Sequence, residues 1–157
     1  MSLFNARDLM GWKADKDSWK VEGGKFKNLK LGGELISEKQ FDNAELIFDW
    51  RLPGKEDARV TTTLGSFTML LDPSTGTSTG GQGPGNPICP ARKVELKPGA
   101  WGRTVMTLSG TSYSMTVNGT EIGTWVGKEL PAGPIKLPSP KAIEIMNVFV
   151  RELKEKK

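Results

Sequence analysis

Residues 44–52 alternate without a break, and that alternation constrains the chain more than any other feature. Ala44, Leu46, Phe48, Trp50 and Leu52 share one side of an extended backbone, and Glu45, Ile47, Asp49 and Arg51 share the other, because successive strand side chains point to opposite faces. One face is wholly apolar and the other mostly charged, the pattern of a strand with a core on one side and water on the other. Pro53-Gly54 stops it, since proline cannot donate to a strand ladder. Helical periodicity is hard to find anywhere. Period-2 runs bounded by Gly, Pro, Asn and Asp recur about every ten residues, as in an antiparallel sandwich or barrel.

The other runs fit the same plan. Residues 19–21 and 25–27 flank Glu22-Gly23-Gly24, a short hairpin whose glycines permit positive φ. Residues 34–37 follow a second Gly pair, and residues 60–64 and 67–71 are separated by Gly65-Ser66. Residues 101–108 and 113–117 enclose Ser109-Gly110-Thr111, and Asn118-Gly119 joins Val117 to Glu121-Ile122, the strongest two-residue hairpin signal in the chain. The last run, 142–153, carries Ile143, Ile145 and Phe149 on one side and Met146, Val148 and Val150 on the other. That distribution predicts a central strand covered on both faces.

Residues 73–90 break the pattern. Ser, Thr, Gly and Pro dominate them without periodicity, and the length exceeds the ~12–15 residues usual for a structureless loop. A domain boundary there would leave two incomplete sheets. The expectation is one sandwich domain over residues 1–157 with a long loop across one face.

Composition removes many functions. The chain has no histidine, which excludes His-based acid/base catalysis, Ser-His-Asp and Cys-His nucleophile systems and His metal sites. One cysteine, Cys89, rules out an intrachain disulfide and a Cys-cluster zinc site. With 22 Lys and Arg against 18 Asp and Glu, the net charge is +4, far from a polyanion-binding tail, so no nucleic-acid partner is expected. No run reaches the ~18 apolar residues of a membrane helix, and residues 1–5 lack the basic and apolar regions of a signal peptide.

Several constellations have plain explanations. The Gly-rich stretch 76–81 lacks the Lys and the helix of a phosphate loop. Asn118-Gly119-Thr120 fits a glycosylation sequon, but a type I′ turn accounts for it. Cys89, between Pro87 and Pro90 with no histidine partner, reads as an inert thiol. Glu45 and Asp49 lie four residues apart on one strand face, about 13 Å at the usual rise. Glycosidase carboxylates sit roughly 5–9.5 Å apart, so these two cannot act as a pair. They could line a polar sheet face with Arg51, or simply form cross-strand ion pairs. Of the five tryptophans, Trp50 sits in the core register, Trp19 and Trp101 open strands, and Trp125 is the candidate sugar-stacking platform.

Segments spread along the chain resemble the 3-keto-disaccharide hydrolase family. Residues 3–12, LFNARDLMGW, are similar to its opening motif, and Ser18-Trp19-Lys20-Val21-Glu22-Gly23-Gly24 to its first hairpin. Residues 41–46 and Asp49-Trp50-Arg51-Leu52-Pro53 resemble its DWRLP strand. Leu71-Asp72-Pro73, Pro98-Gly99-Ala100-Trp101, Val117-Asn118-Gly119, Gly133-Pro134-Ile135 and residues 147–153 match later landmarks. The resemblance implies a concanavalin A-like jelly-roll β-sandwich of two antiparallel sheets. It also implies carbohydrate chemistry on glycosides oxidised at C3, often in bacterial proteins exported to the periplasm or beyond.

The chain departs from the family at positions suited to chemistry. Aligned on Asp72, Thr63 stands where the family carries Arg and Met69 where it carries Gln. Gly133-Pro134-Ile135-Lys136-Leu137 runs into Pro138-Ser139-Pro140 without the family's Gln, His and Gly, and Met146 replaces an Arg between Glu144 and Asn147. Cleaving a 3-keto sugar needs a base for the acidic C–H beside the ketone and a group to hold the enolate oxygen; Arg and His suit those tasks.

The expectation is therefore a carbohydrate-binding domain with a degraded active site. In it Glu45, Arg51, Glu144 and Trp125 contact an oligosaccharide or glycoside. The alternatives are an active hydrolase or lyase using Asp72 and Asp49, and a structural interaction module. No cofactor is expected, although the carboxylates leave room for a hard cation such as Ca²⁺.

Overall fold

The structure, a computed structural model, describes residues 1–15, 17–53, 60–72, 77–80, 92–94, 96, 97 and 99–154. Among these residues fourteen strands run in chain order: β1 (Trp12–Ala14), β2 (Trp19–Glu22), β3 (Lys25–Asn28), β4 (Leu35–Phe41), β5 (Ala44–Arg51), β6 (Val60–Leu64), β7 (Phe67–Asp72), β8 (Thr77–Gly80), β9 (Arg92–Lys93), β10 (Gly102–Ser109), β11 (Ser112–Val117), β12 (Thr120–Val126), β13 (Gly133–Leu137) and β14 (Glu144–Glu152). They form two antiparallel sheets of seven strands. The back sheet has the order β1-β4-β13-β6-β7-β8-β9, and the front sheet β12-β11-β10-β5-β14-β3-β2. The all-β sandwich expected from the alternation is present, and no helix among the described residues is long and apolar enough to cross a membrane.

The core lies between the sheets. Strand β5 occupies the middle of the front sheet, and Ala44, Leu46, Phe48 and Trp50 all point inward and are buried, as the alternation requires. Facing them are Leu35, Leu64, Phe67, Met69, Leu71 and Ile135 of the back sheet, also buried. Each such side chain contributes roughly 1.5–3 kcal/mol of hydrophobic stabilisation. Phe4, Trp12 and Trp19 surround Phe26, with ring centroids 3.8, 5.6 and 6.5 Å from it. The buried indole N–H groups have acceptors: Trp12 donates to the Leu3 carbonyl at 2.6 Å, Trp19 to Gly33 at 2.8 Å and Trp50 to Thr104 Oγ1 at 2.9 Å. Unpaired, each would cost about 1–3 kcal/mol.

The Asn118-Gly119 hairpin forms as expected. Both residues have positive φ, 51° and 76°, the geometry of a type I′ turn. Asn118 also exchanges hydrogen bonds with the backbone of Arg103, its Oδ1 accepting from Arg103 N at 2.8 Å and its N–H donating to Arg103 O at 2.8 Å. The turn thus fixes the entry of β10.

Two expectations need correction. The first is residues 73–90 as one loop: Thr77–Gly80 form β8, antiparallel to β7, with Asp72 opposite Thr77. Backbone pairing at a sheet edge needs no apolar alternation, so periodicity does not reveal it; threonine's β-branching favours it all the same. Residues 73–76 and 81–90, with Cys89, lie outside the described residues. The second is β14 as a strand covered on both faces. It is central, between β5 and β3, but a bulge shifts its register between Met146 and Phe149, and Asn147 there has φ 53°. One extra residue reverses which side chains point inward. Ile143 and Ile145 before the bulge and Val148 and Val150 after it are all buried, while Phe149 is 46% exposed. Beyond the bulge β14 is flanked by the start of the chain, through Leu3 N to Val148 O at 2.9 Å and Val150 N to Met1 O at 2.9 Å.

Candidate functional site: a charged row on the front sheet

The charged outward side chains of β5 meet three separate sets of partners. At one end Arg51 lies opposite Glu144 on β14, which lies opposite Lys27 on β3, which lies opposite Lys20 on β2. Four neighbouring strands thus align four charged residues in one row. Glu144 organises it. Its Oε2 accepts from Arg51 Nε at 2.7 Å and from Arg51 Nη2, while its Oε1 faces Lys25 Nζ at 3.2 Å and Lys27 Nζ at 3.5 Å. Glu22 takes Lys20 at 2.9 Å and also pairs with Lys27. Trp101 stands one residue before Gly102, which pairs with Trp50. Arg51 Cζ is 5.0 Å from its ring centroid and Lys25 Nζ 5.9 Å, within cation–π range.

Two residues along β5, Asp49 is opposite Arg103 on β10. The guanidinium grips it with Nε to Oδ1 at 2.7 Å and Nη2 to Oδ2 at 2.8 Å, the bidentate geometry of a strong charge-assisted pair. Asn147 Nδ2 adds a third bond to Oδ2 at 2.7 Å. The bulge aims that amide: asparagine tolerates the left-handed backbone better than most residues. At the other end of β5, Glu45 pairs with Arg151 across the strand at 3.0 Å. Between these sets, Phe149 lies opposite Ile47 and Ile47 opposite Val105, an apolar row with the exposed Phe149 ring at one end.

The electrostatics follow from the contacts. Burial works to raise the Asp49 pKa, but the hydrogen bonds from Arg103 and Asn147 and the Arg103 charge outweigh it and hold the carboxyl below its ordinary range. Burial likewise opposes ionisation of Glu144, and Arg51 and Lys25 overcome it. Both are anions at neutral pH and act as acceptors. A general acid or base needs a pKa near the working pH, and both are moved the other way.

The structure brings Arg51 to Glu144 and leaves Asp49 and Glu45 in separate ion pairs on the same face, the cross-strand pairing that sheet geometry offers. Asp72 is on β7 of the back sheet, so its strand does not adjoin the one that carries Asp49. Trp125 is opposite Tyr113, partly buried against the core and 5.8 Å from the Phe67 ring centroid. Its ring lies over Gly123, where an added Cβ would come within 2.4 Å, and so it faces between the sheets. Thr63, in the family's Arg position, bonds Thr68 Oγ1 at 2.9 Å on the back sheet, and Met69 is buried in the core. Among the described residues no group of three or more cysteines, aspartates or glutamates is placed to hold a metal ion.

Sequence reasoning missed Arg103, Asn147, Lys25, Lys27 and Phe149 as members of this face. No turn joins β5 to β10, so only the strand order of the folded sheet sets Arg103 opposite Asp49. Trp101 and Asn147 lay within quoted landmarks, and the structure shows why those landmarks go together. The DWRLP strand, the Trp101 segment and the Glu144–Asn147 segment, far apart in the chain, meet here.

Fold and face together define an all-β sandwich that carries a charged row on the outer face of its front sheet. Over residues 1–154 the chain matches the 3-keto-alpha-glucoside-1,2-lyase-like domain, and it belongs to that family. A sequence search of curated proteins finds no significant relative. Among solved structures, a proposed glycosyl hydrolase from Parabacteroides distasonis superposes with a TM-score of 0.74 at 15% identity, covering 98% of both chains. A carbohydrate binding module, CBM66, from Bacillus subtilis gives 0.73 at 10% identity over 90% of this chain and 96% of its own. Trypanosoma rangeli sialidase gives 0.60 at 12% identity over 91% of this chain and 28% of its own. At these identities the likeness concerns the fold.

Proposed function

We propose that the chain is a carbohydrate-binding domain of its family and that the sugar lies on the outer face of the front sheet. The observation that carries this is the convergence of Asp49, Arg103, Asn147, Arg51 and Glu144 beside two partly exposed aromatic rings, Phe149 and Trp101. Sugars are recognised by planar hydrogen-bonding groups together with an aromatic surface for their C–H faces. Asn147 and Phe149 are two residues apart on β14, and Phe149 sits two residues along β5 from the Asp49 row, about 7 Å, the reach of one pyranose ring. Phe149 takes the platform role that the sequence had suggested for Trp125.

A degraded active site fits the same chemistry. The ionised, cation-held carboxylates can accept from sugar hydroxyls, but they are poor acids and weak bases. With no histidine in the chain, and Thr63 and Met69 at the positions of the family's Arg and Gln, the enolate-stabilising groups that the resemblance calls for are replaced.

The test is an NMR titration with a 3-keto-disaccharide and its unoxidised parent. Resonances around Asp49 and Phe149 should shift while the keto-sugar signals persist as in a protein-free control. Phe149→Ala, an exposed position, should leave the spectrum folded and weaken the shifts. Keto-sugar consumption by the protein would restore the catalytic reading, and shifts indifferent to Phe149→Ala would move the sugar off this face.

A further inference from the structure

The row that begins at Arg51 is not electrically balanced. Lys20, Lys25, Lys27 and Arg51 face Glu22 and Glu144, so four cations share two carboxylates. The other outward pairs of β5 differ, since Asp49 with Arg103 and Glu45 with Arg151 each match one charge to one. The excess is built in. The Glu144 side chain is only 8% exposed and holds Arg51, Lys25 and Lys27 at fixed points, and the Trp101 ring lies under Arg51 and Lys25. Arg51 spends two of its N–H groups on Glu144; a guanidinium has five. Like charges held this close repel, and an anion placed among them relieves the repulsion while gaining charge-assisted hydrogen bonds.

We infer that this corner of the front sheet binds an anionic group on the saccharide, a uronate carboxylate, so that the ligand class is an acidic oligosaccharide rather than a neutral one. The inference rests on the sugar-binding reading above and adds the charge of the ligand. The carboxylate sits between Arg51 and Lys25, which meet at the Trp101 ring, and Lys27 and Lys20 add positive potential from the neighbouring strands. The neighbouring sugar ring extends along β14 toward Asn147 and Phe149, which share that strand with Glu144.

The experiment titrates the ¹⁵N-labelled protein with trigalacturonate, with neutral maltotriose and with sodium sulfate at low and moderate salt. Trigalacturonate should bind about tenfold more tightly than maltotriose, since one well-placed charge-assisted contact is worth about that factor. The preference should fade as salt screens it, and the shifts should centre on Arg51 and Trp101. In a Lys20→Gln, Lys25→Gln double variant two cations remain for two carboxylates. There the preference should vanish while maltotriose binds as before, and an unchanged spectrum elsewhere reports an intact fold. Equal affinities in the parent protein, or a preference that survives the double variant, overturn the inference and leave the sugar-binding reading standing if maltotriose still shifts the Asp49 region. Sulfate competing as well as the oligosaccharide would mark a simple anion site and also overturn it. Failure of every sugar to shift any resonance would remove the sugar-binding reading itself.

Discussion

The two sheets differ in how their outward charges are partnered, although among the described residues both are seven-stranded and antiparallel. Outward positions of the front sheet carry interlocked charges: Arg51 with Glu144, Asp49 with Arg103 and Asn147, Glu45 with Arg151. Described positions on the back sheet include Thr63 bonded to Thr68, the apolar Ile36, a loose Lys136–Glu34 pair at 3.6 Å, and the exposed Glu38, Lys39 and Gln40 of β4, of which Lys39 pairs with Glu152 at the end of β14. Outward side chains are not needed for the inter-sheet core, so packing does not dictate this difference. The family resemblance does not divide by sheet. Thr63 and Met69, at the family's Arg and Gln positions, belong to the back sheet, but so does the retained Asp72; Asp49, Arg51, Glu144 and Asn147 are retained on the front sheet, where Met146, at another family Arg position, lies opposite Asp49.

The widest separation between the faces should appear in stability. Asp49→Ala strips the acceptor from a bidentate Arg103 and from Asn147 at a buried position, and is expected to cost about 2–3 kcal/mol. Thr63→Ala on the back sheet removes one half-exposed hydroxyl contact and should cost less than about 1 kcal/mol. Urea denaturation midpoints of the two variants measure the contrast, and equal losses would erase it.

The bulge supplies the next test, because it is what joins Asn147 to Asp49. Asn147→Gly keeps the backbone conformation and loses only the amide bond. Asn147→Val loses the bond and forces a β-branched residue to φ 53°. Valine should therefore be less stable than glycine by about 1–2 kcal/mol, read from thermal or urea unfolding. A valine variant as stable as glycine would mean that the bulge relaxes and that Asn147 is not pinned.

What could be read in advance and what could not follows from the same bulge. The alternation of residues 44–52 specified β5 and its inward set in full, because period-2 patterning survives wherever one face is buried and the strand is regular. The two-residue hairpin at Asn118-Gly119 was legible because only a few residue types accept two positive φ values in succession. In β14 the apolar residues looked double-sided because an insertion of one residue changes the parity midway, and parity is the only signal that periodicity carries. At the site, Asp49 and Arg51 were legible as charges on the polar side of an alternating strand, and Glu144 through the family resemblance. Their partners were not: Arg103, Lys25 and Lys27 are ordinary exposed cations until strand order sets them opposite a carboxylate.

Acid should also divide the faces. Asp49 and Glu144 have pKa values depressed in the folded chain, so their stabilisation is complete above the unfolded carboxylate range, near pH 4, and is lost as pH falls through the lower folded values. Stability should hold from pH 7 to about pH 5 and decline below about pH 4. Asp49→Asn should start lower at neutral pH and fall less steeply below pH 4, since it has no carboxylate there to protonate. A parallel decline in both proteins would assign the acid sensitivity to other groups.

The smallest expected effect tests whether every ion pair on the front face matters equally. Glu45 and Arg151 are cross-strand partners at 3.0 Å, but the Arg151 side chain is 69% exposed and the Glu45 side chain 22%. Water screens such a pair, and ordering two long side chains offsets much of what remains, so Arg151→Ala should change stability by no more than about 0.5 kcal/mol. The Glu144 side chain, at 8% exposure with three cations around it, is the opposite case on the same strand. A loss from Arg151→Ala as large as that from Asp49→Ala would show that charge pairing everywhere on the face holds β5 to its neighbours, and the distinction between the two ends of β5 would lose its physical basis.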